Sequence, residues 1–253
     1  MVHIVGAGSG AADLITVRGM NLLKEADVII YAGSLVNPAL LDYAKPECVI
    51  HNSAEMTLDQ VIEVMKQAEA EGKTTVRLHT GDPAIFGAIR EQMDKLDALG
   101  IEYTNTPGVS SLFGAAAALK AEYTLPSISQ SVIITRMEGR TPVPARESIA
   151  AFAAHQATMV IFLSSGMTDK VSAELIKGGY DPETPAAIVY KATWPDQKVV
   201  RCTVGTLDKA AKENGIRNLA LLTIGNFLGD KYDYSKLYDP TFTTEFRKGT
   251  DDK

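Results

Sequence analysis

The first 120 residues alternate between short β-branched runs and amphipathic helical stretches, and this rhythm most constrains the fold. Strand-like runs occur at Val2–Gly6, Val28–Tyr31, Cys48–His51, Thr75–Thr80 and Glu102–Asn105. Helical stretches fit between them near Ile15–Glu25, Pro38–Ala44, Leu58–Ala70, Ile85–Leu99 and Ser111–Leu119. In the stretch at 58–70, Leu58, Val61, Ile62, Met65 and Ala68 recur at helical spacing. Strict βα alternation needs crossover connections and so builds a mostly parallel sheet.

The rhythm breaks at Lys120–Ser129, which has a proline and no periodicity and reads as an inter-domain linker. Beyond it, strands are expected at Val132–Thr135, Met159–Leu163, Ala186–Tyr190, Val199–Thr203 and Leu219–Gly225. Helices fit near Arg146–Ala154, Met167–Lys177 and Thr206–Asn214. The Tyr190–Arg201 stretch leaves no room for a helix, so its flanking strands should be antiparallel neighbours in a mixed sheet. The expected fold class is therefore two α/β domains, residues 1–120 and 130–229, followed by a partly ordered tail over 230–253.

A chain of 253 residues with 45% hydrophobic residues can bury two such cores without staples. Its net charge of −6 argues against a general nucleic-acid binder. Cys48 and Cys202 lack metal spacing and read as buried, reduced thiols. The four histidines are scattered, so no metal site is expected. No apolar run reaches the ~18 residues of a membrane span. The chain opens on a strand without a signal peptide's pattern, which suggests a cytoplasmic protein.

The first strand runs into Gly6-Ala7-Gly8-Ser9-Gly10-Ala11, a loose match to a dinucleotide fingerprint. That fingerprint also wants an acidic residue at the end of the second strand, and Asp27 stands before it instead. The helix also starts late, after Asp13, so phosphate-on-helix geometry is spoiled. A ligand-facing loop of another kind, or a glycine turn that serves packing alone, remain as readings. Further on, Gly81-Asp82-Pro83-Ala84-Ile85-Phe86-Gly87 follows the fourth strand. Asp82 would cap the next helix and Pro83 would open it. Thr106-Pro107-Gly108-Val109-Ser110-Ser111 follows the fifth strand, with a serine capping the helix beyond. Both loops lie at carboxyl ends of strands, where open α/β sheets bind ligands.

These motifs in this order, with Lys191-Ala192-Thr193-Trp194-Pro195-Asp196-Gln197 later on, resemble the tetrapyrrole methylase family from Val2 to about Gly229. The segment Tyr31-Ala32-Gly33-Ser34-Leu35-Val36-Asn37-Pro38 is similar to its branch that methylates C-11 of precorrin-4, or of the cobalt form, in cobalamin biosynthesis. The resemblance implies S-adenosyl-L-methionine as methyl donor, held in a cleft between the two domains, and a homodimer. It implies cofactor contacts at Gly81, Asp82, Ile85, Ser110, Ser111, Phe113, Leu163, Tyr190, Ala192 and Ala220. Two positions depart from the family pattern: Ser9 replaces a common proline, and Leu163 ends a strand where relatives often carry methionine.

Methyl transfer to an electron-rich ring carbon is an in-line displacement, so positioning and water exclusion matter more than an activated side chain. No catalytic residue is assigned on that ground. A tetrapyrrole precursor carries several carboxylates, which arginine forks recognise. Arg18, Arg136, Arg140 and Lys191, at strand ends or loops, are the candidates. Alternatives are methylation at another position, on uroporphyrinogen III or precorrin-2, and an NAD(P)-dependent oxidoreductase reading the first glycines.

Overall fold

The computed structural model describes residues 1–250. Contacts divide the chain into two units: Met1–Ala117 with Lys191–Gln197, and Ala118–Tyr190 with the chain from Lys198 onward. Lys191–Gln197, expected inside the second domain, thus packs with the first unit.

In the first unit, strands β1 (Val2–Gly6), β2 (Val28–Tyr31), β3 (Val49–Asn52), β4 (Thr75–His79) and β5 (Tyr103–Thr106) form one sheet. Its order is β3-β2-β4-β1-β5, and every pairing is parallel. Helices α1 (Val17–Glu25), α2 (Leu58–Ala70), α3 (Arg90–Leu99) and α4 (Ser111–Leu119) alternate with these strands. Period-2 alternation sends β-strand side chains to opposite faces. One face packs Val5, Ile29, Val76 and Leu78 with Leu23 of α1. The other packs Val2, Val28 and Ile30 with Ile62 and Met65 of α2 and Leu96 of α3. Helix α2 starts sharply because Thr57 and Gln60 form a reciprocal capping box at 2.8 and 3.3 Å.

Three expectations are corrected in this unit. Pro38–Tyr43 is a 3-10 helix, and the helix placed at Ile15–Glu25 begins only at Val17. The helix expected from Ile85 begins at Arg90. Phe86 (φ 53°) and Ala88 (φ 47°) occupy left-handed backbone, which a right-handed helix cannot include.

The second unit holds β6 (Val132–Arg136), β7 (Thr158–Phe162), β8 (Pro185–Tyr190), β9 (Lys198–Thr203) and β10 (Ala220–Ile224). Their order is β6-β7-β10-β8-β9. Only β6–β7 is parallel, so the sheet is mixed, and β8 and β9 are antiparallel neighbours. Helices α5 (Ile149–Ala153), α6 (Thr168–Lys177) and α7 (Leu207–Glu213) supply Ile149, Val171, Leu175 and Leu207 to a core with Met159, Ile161, Ile188 and Leu222. The segment read as a linker, Lys120–Ser129, packs here. Tyr123 is buried against Phe227 in an edge-to-face pair at 5.1 Å. Its carbonyl accepts from Thr158 Oγ1 at 2.8 Å, and Ser129 Oγ accepts from Thr158 N at 3.0 Å. The described part of the tail is exposed around a short 3-10 turn at Lys236–Tyr238, and residues 251–253 lie outside the described ones. No described helix is long and apolar enough to cross a membrane.

Candidate functional site

β4, β1 and β5 are adjacent, so the loops leaving their carboxyl ends must pack backbone on backbone. Ala7 N donates to His79 O at 2.6 Å. Gly8 and Gly81 then exchange two N–H···O bonds at 3.2 Å. A methyl group at Gly108 would lie 2.1 Å from Gly81 O and 2.8 Å from Gly6 Cα. These close approaches explain the glycines at 6 and 108, while Gly81 holds left-handed backbone at φ 59°. Above Gly81 there is more room, since a Cβ there would meet nothing nearer than 3.5 Å.

Asp82 does not cap a long helix, contrary to the sequence expectation. One carboxylate oxygen accepts from Ala84 N at 2.8 Å and the other from Gly108 N at 3.0 Å. It closes its own turn and ties the GDP loop to the PG loop. Ile85, half-buried, donates its N–H to Asp82 O at 3.3 Å. Ser110 is buried and its Oγ accepts from Leu112 N at 3.3 Å, so it does cap α4. Ser111 opens that helix, and Phe113, one turn in, is 60% exposed.

Around Gly10 the loop meets Lys191–Gln197. A methyl at Gly10 would lie 2.2 Å from the Trp194 ring and 2.5 Å from Ala192 O. Thr193 Oγ1 accepts from Ala11 N at 2.9 Å and lies 3.3 Å from Ser9 Oγ. On the other side, Asn37 Nδ2 donates to Gly10 O at 2.9 Å while its Oδ1 accepts from Ala39 N at 3.0 Å. Asn37 and Thr193 went unassigned from sequence. The Asn-Pro pair signals a cap, but only the fold shows where the other half of the amide goes.

The second unit gathers its candidates at one end of its three interior strands. Tyr190 is registered against Ala220 across β8–β10. β7 pairs with β10 through Ile161 and Leu222, so its carboxyl end runs to the same end. Leu163 does not end β7 but follows it, at φ 53° and 59% exposed. Arg136 ends β6, beside Phe162. Its guanidinium donates to the carbonyls of Met137, Thr141 and Pro142 at 3.4, 3.3 and 2.8 Å, holding its own loop. Arg140 in that loop is exposed.

Arg18, in the first turn of α1, is exposed. Lys191, half-buried, lies 2.6 Å from Asp196 and 5.1 Å from the Trp194 ring centre.

Beneath the GDP loop, β4 carries two ionisable groups on the face opposite Val76 and Leu78. Arg77 is buried and has no carboxylate partner among the described residues: Nε donates to Gln92 Oε1 at 2.9 Å and Nη1 to Ile30 O at 3.1 Å. Burial pushes its guanidinium down to about 10. His79 is 5% exposed and its Nε2 has no hydrogen-bond partner among the described residues. Burial, with Arg77 as the smaller cause, pushes its imidazole down to about 3. Both cysteines are free and only half-buried rather than buried. Among the described residues no three His, Cys, Asp or Glu side chains converge on a metal position.

The family model of Tetrapyrrole (Corrin/Porphyrin) Methylases matches residues 1–208. The cobalt-precorrin-4 C(11)-methyltransferase of Methanocaldococcus jannaschii is 55% identical, with 98% of this chain and 96% of that protein covered. The protein of the same name from Priestia megaterium is 49% identical, with 98% of both chains covered. Among solved structures, a cobalt precorrin-4 methyltransferase, a cobalamin biosynthetic enzyme, superposes with a TM-score of 0.88 at 48% identity, covering 90% of this chain and 96% of that one. The uroporphyrin-III C-methyltransferase of Thermus thermophilus, complexed with S-adenosylhomocysteine, gives 0.76 at 26%, covering 90% and 93%. With its four sequence motifs gathered in the first unit and its model matched over four-fifths of the chain, the protein belongs to the tetrapyrrole methylase family.

Proposed function

We propose that this protein transfers a methyl group from S-adenosyl-L-methionine to C-11 of precorrin-4 or its cobalt form, a step of cobalamin biosynthesis. The observation that carries this reading is the convergence of GAGSG, GDPAIFG, PGVSS and KATWPDQ within one unit. Separated by up to 184 residues in sequence, they share hydrogen bonds and glycine contacts in space. Relatives of that name at 49–55% identity over nearly the full chain support the ring position.

When bound, the cofactor supplies an electrophilic sulfonium methyl to a nucleophilic ring carbon. The chain's own task is to hold the reactants in line and keep water out. Gly81, Asp82, Ile85, Ser110, Ser111, Phe113 and Ala192 are the proposed cofactor contacts of the first unit. A Cβ at Gly81 would meet nothing nearer than 3.5 Å, which supports open space beside that loop. Leu163, Tyr190 and Ala220 are the proposed contacts of the second. For the substrate's carboxylates, the exposed Arg18 and Arg140 are free to reorient, whereas Arg136 acts chiefly by shaping the loop that bears Arg140. Lys191 would meet a carboxylate by exchanging its Asp196 partner. By the same family resemblance the protein is a homodimer, which sedimentation of the purified chain tests; the cytoplasmic reading rests on the opening strand without a signal peptide's pattern.

Titration calorimetry with S-adenosylhomocysteine and with NAD(P) tests the cofactor. Incubation with labelled S-adenosyl-L-methionine and each methylated precorrin intermediate, followed by NMR, locates the new methyl group. Methylation at C-11 is expected. Transfer to another ring carbon would reject the ring position, and NAD(P) binding without S-adenosylhomocysteine binding would reject the methyltransferase reading.

A further inference from the structure

Gln92 lies in the first turn of α3 and is 5% exposed. Its amide is used at both ends. Oε1 accepts from Arg77 Nε at 2.9 Å, and Nε2 donates to Ala88 O at 3.1 Å. Arg77 is tied in turn to Ile30 O of β2. A continuous hydrogen-bonded chain therefore runs from the sheet, through a buried guanidinium and a buried side-chain amide, to the last part of the Gly81–Ile89 loop. That loop needs such a brace. Phe86 and Ala88 hold left-handed backbone, which costs about 1 kcal/mol or more per residue for side chains bearing Cβ. Gly87 is pressed against Pro83, since a Cβ there would fall 2.2 Å from its carbonyl oxygen. A segment so contorted keeps its shape only when its surroundings impose it.

We infer that Gln92 and Arg77 are positioning residues for the methyl-transfer reaction, acting through Ala88 to hold the GDP loop in its cofactor-receiving shape. The inference rests on the proposed reading of Gly81, Asp82 and Ile85 as cofactor contacts. A buried guanidinium with neutral partners is expensive to place in a core. A pair of aliphatic side chains would fill the space between β4 and α3, but would not reach the Ala88 carbonyl. Preorganising a loop raises affinity by removing the cost of ordering it on binding.

Calorimetry with S-adenosylhomocysteine on wild type, Gln92→Met and Gln92→Glu tests this. Methionine matches the shape and removes both hydrogen bonds. Glutamate keeps the acceptor for Arg77 but removes the donor to Ala88 O, so it separates the two ends of the brace. The Met variant, with its fold verified by circular dichroism, should bind at least tenfold more weakly, the loss falling on KM for S-adenosyl-L-methionine rather than on kcat. The Glu variant, which keeps the acceptor for Arg77 but cannot donate to Ala88 O, should stay at least tenfold weaker than wild type. Equal affinity of the Met variant and wild type, or wild-type affinity in the Glu variant, would overturn the inference. Hydrogen exchange on the wild type serves if the Met variant fails to fold: amides of 84–89 should be protected before any cofactor is added, and exchange at free-peptide rates would also overturn it. Absence of S-adenosylhomocysteine binding by wild type would instead reject the proposed function.

Discussion

Lowering the pH from 7.5 to 5.0 should destabilise the first unit through His79. The imidazole is 5% exposed, its Nε2 has no partner among the described residues, and its folded pKa is about 3 against an unfolded value of 6.5. Because the folded value is depressed, the unfolded chain binds the extra proton throughout the interval from 6.5 down to 3. Stability contributed by the neutral ring is complete above pH 6.5 and is lost as pH falls through that interval. At 1.36 kcal/mol per unit, the loss is about 2 kcal/mol at pH 5.0 and approaches ~5 kcal/mol below pH 3. Urea unfolding followed by tryptophan emission reports on the right unit, since Trp194 is the chain's single tryptophan and packs against Gly10. His79→Gln removes the titration while keeping a polar side chain. The gap in stability between pH 7.5 and 5.0 should then shrink by about 2 kcal/mol relative to wild type. His3, also lowered by burial, contributes to both proteins and cancels. An unchanged gap would refute the reasoning and mean that His79 gains a partner or water on protonation.

Gly108→Ala should destabilise by more than 2 kcal/mol in the same urea assay and abolish S-adenosylhomocysteine binding, because its methyl would sit 2.1 Å from Gly81 O. Asp82→Ala leaves the Gly108 and Ala84 amides without their charged acceptor, a loss of about 1–3 kcal/mol, with weaker cofactor binding in calorimetry. Asn37→Ala should cost about 1–2 kcal/mol by leaving Gly10 O unpaired and uncapping the 3-10 turn, and tryptophan emission should shift as the loop loosens. Cys202, whose thiol burial pushes up to about 11, should react with iodoacetamide at pH 8 far more slowly than a free thiol.

Strand positions and sheet character were readable because they rest on local periodicity. Buried parallel strands such as Val28–Tyr31 are continuously apolar, and the short Lys191–Gln197 connection forces β8 and β9 antiparallel. The helix at 85–99 was misread because Asp-Pro is a good local start signal, and nothing local announces left-handed backbone at Phe86 and Ala88. Lys120–Ser129 looked like a linker because it lacks periodicity, but irregular chain packs well when side chains such as Tyr123 find a partner.

The site shows the same division. Glycine, aspartate and serine at strand ends mark a ligand-facing edge in the bare sequence, because the turns there demand those residue types. The reason for Gly6 and Gly108 is each other, and for Gly10 it is Trp194, over 180 residues away. Arg136 looked available for substrate until the fold showed it bonded to its own loop. By itself the sequence determined two α/β units and a glycine-rich strand-end edge, since hydrophobic period and turn chemistry are local. Only tertiary structure decided which loops share that edge, which arginines remain free and which buried amide braces the loop, because those depend on contacts between residues far apart in the chain.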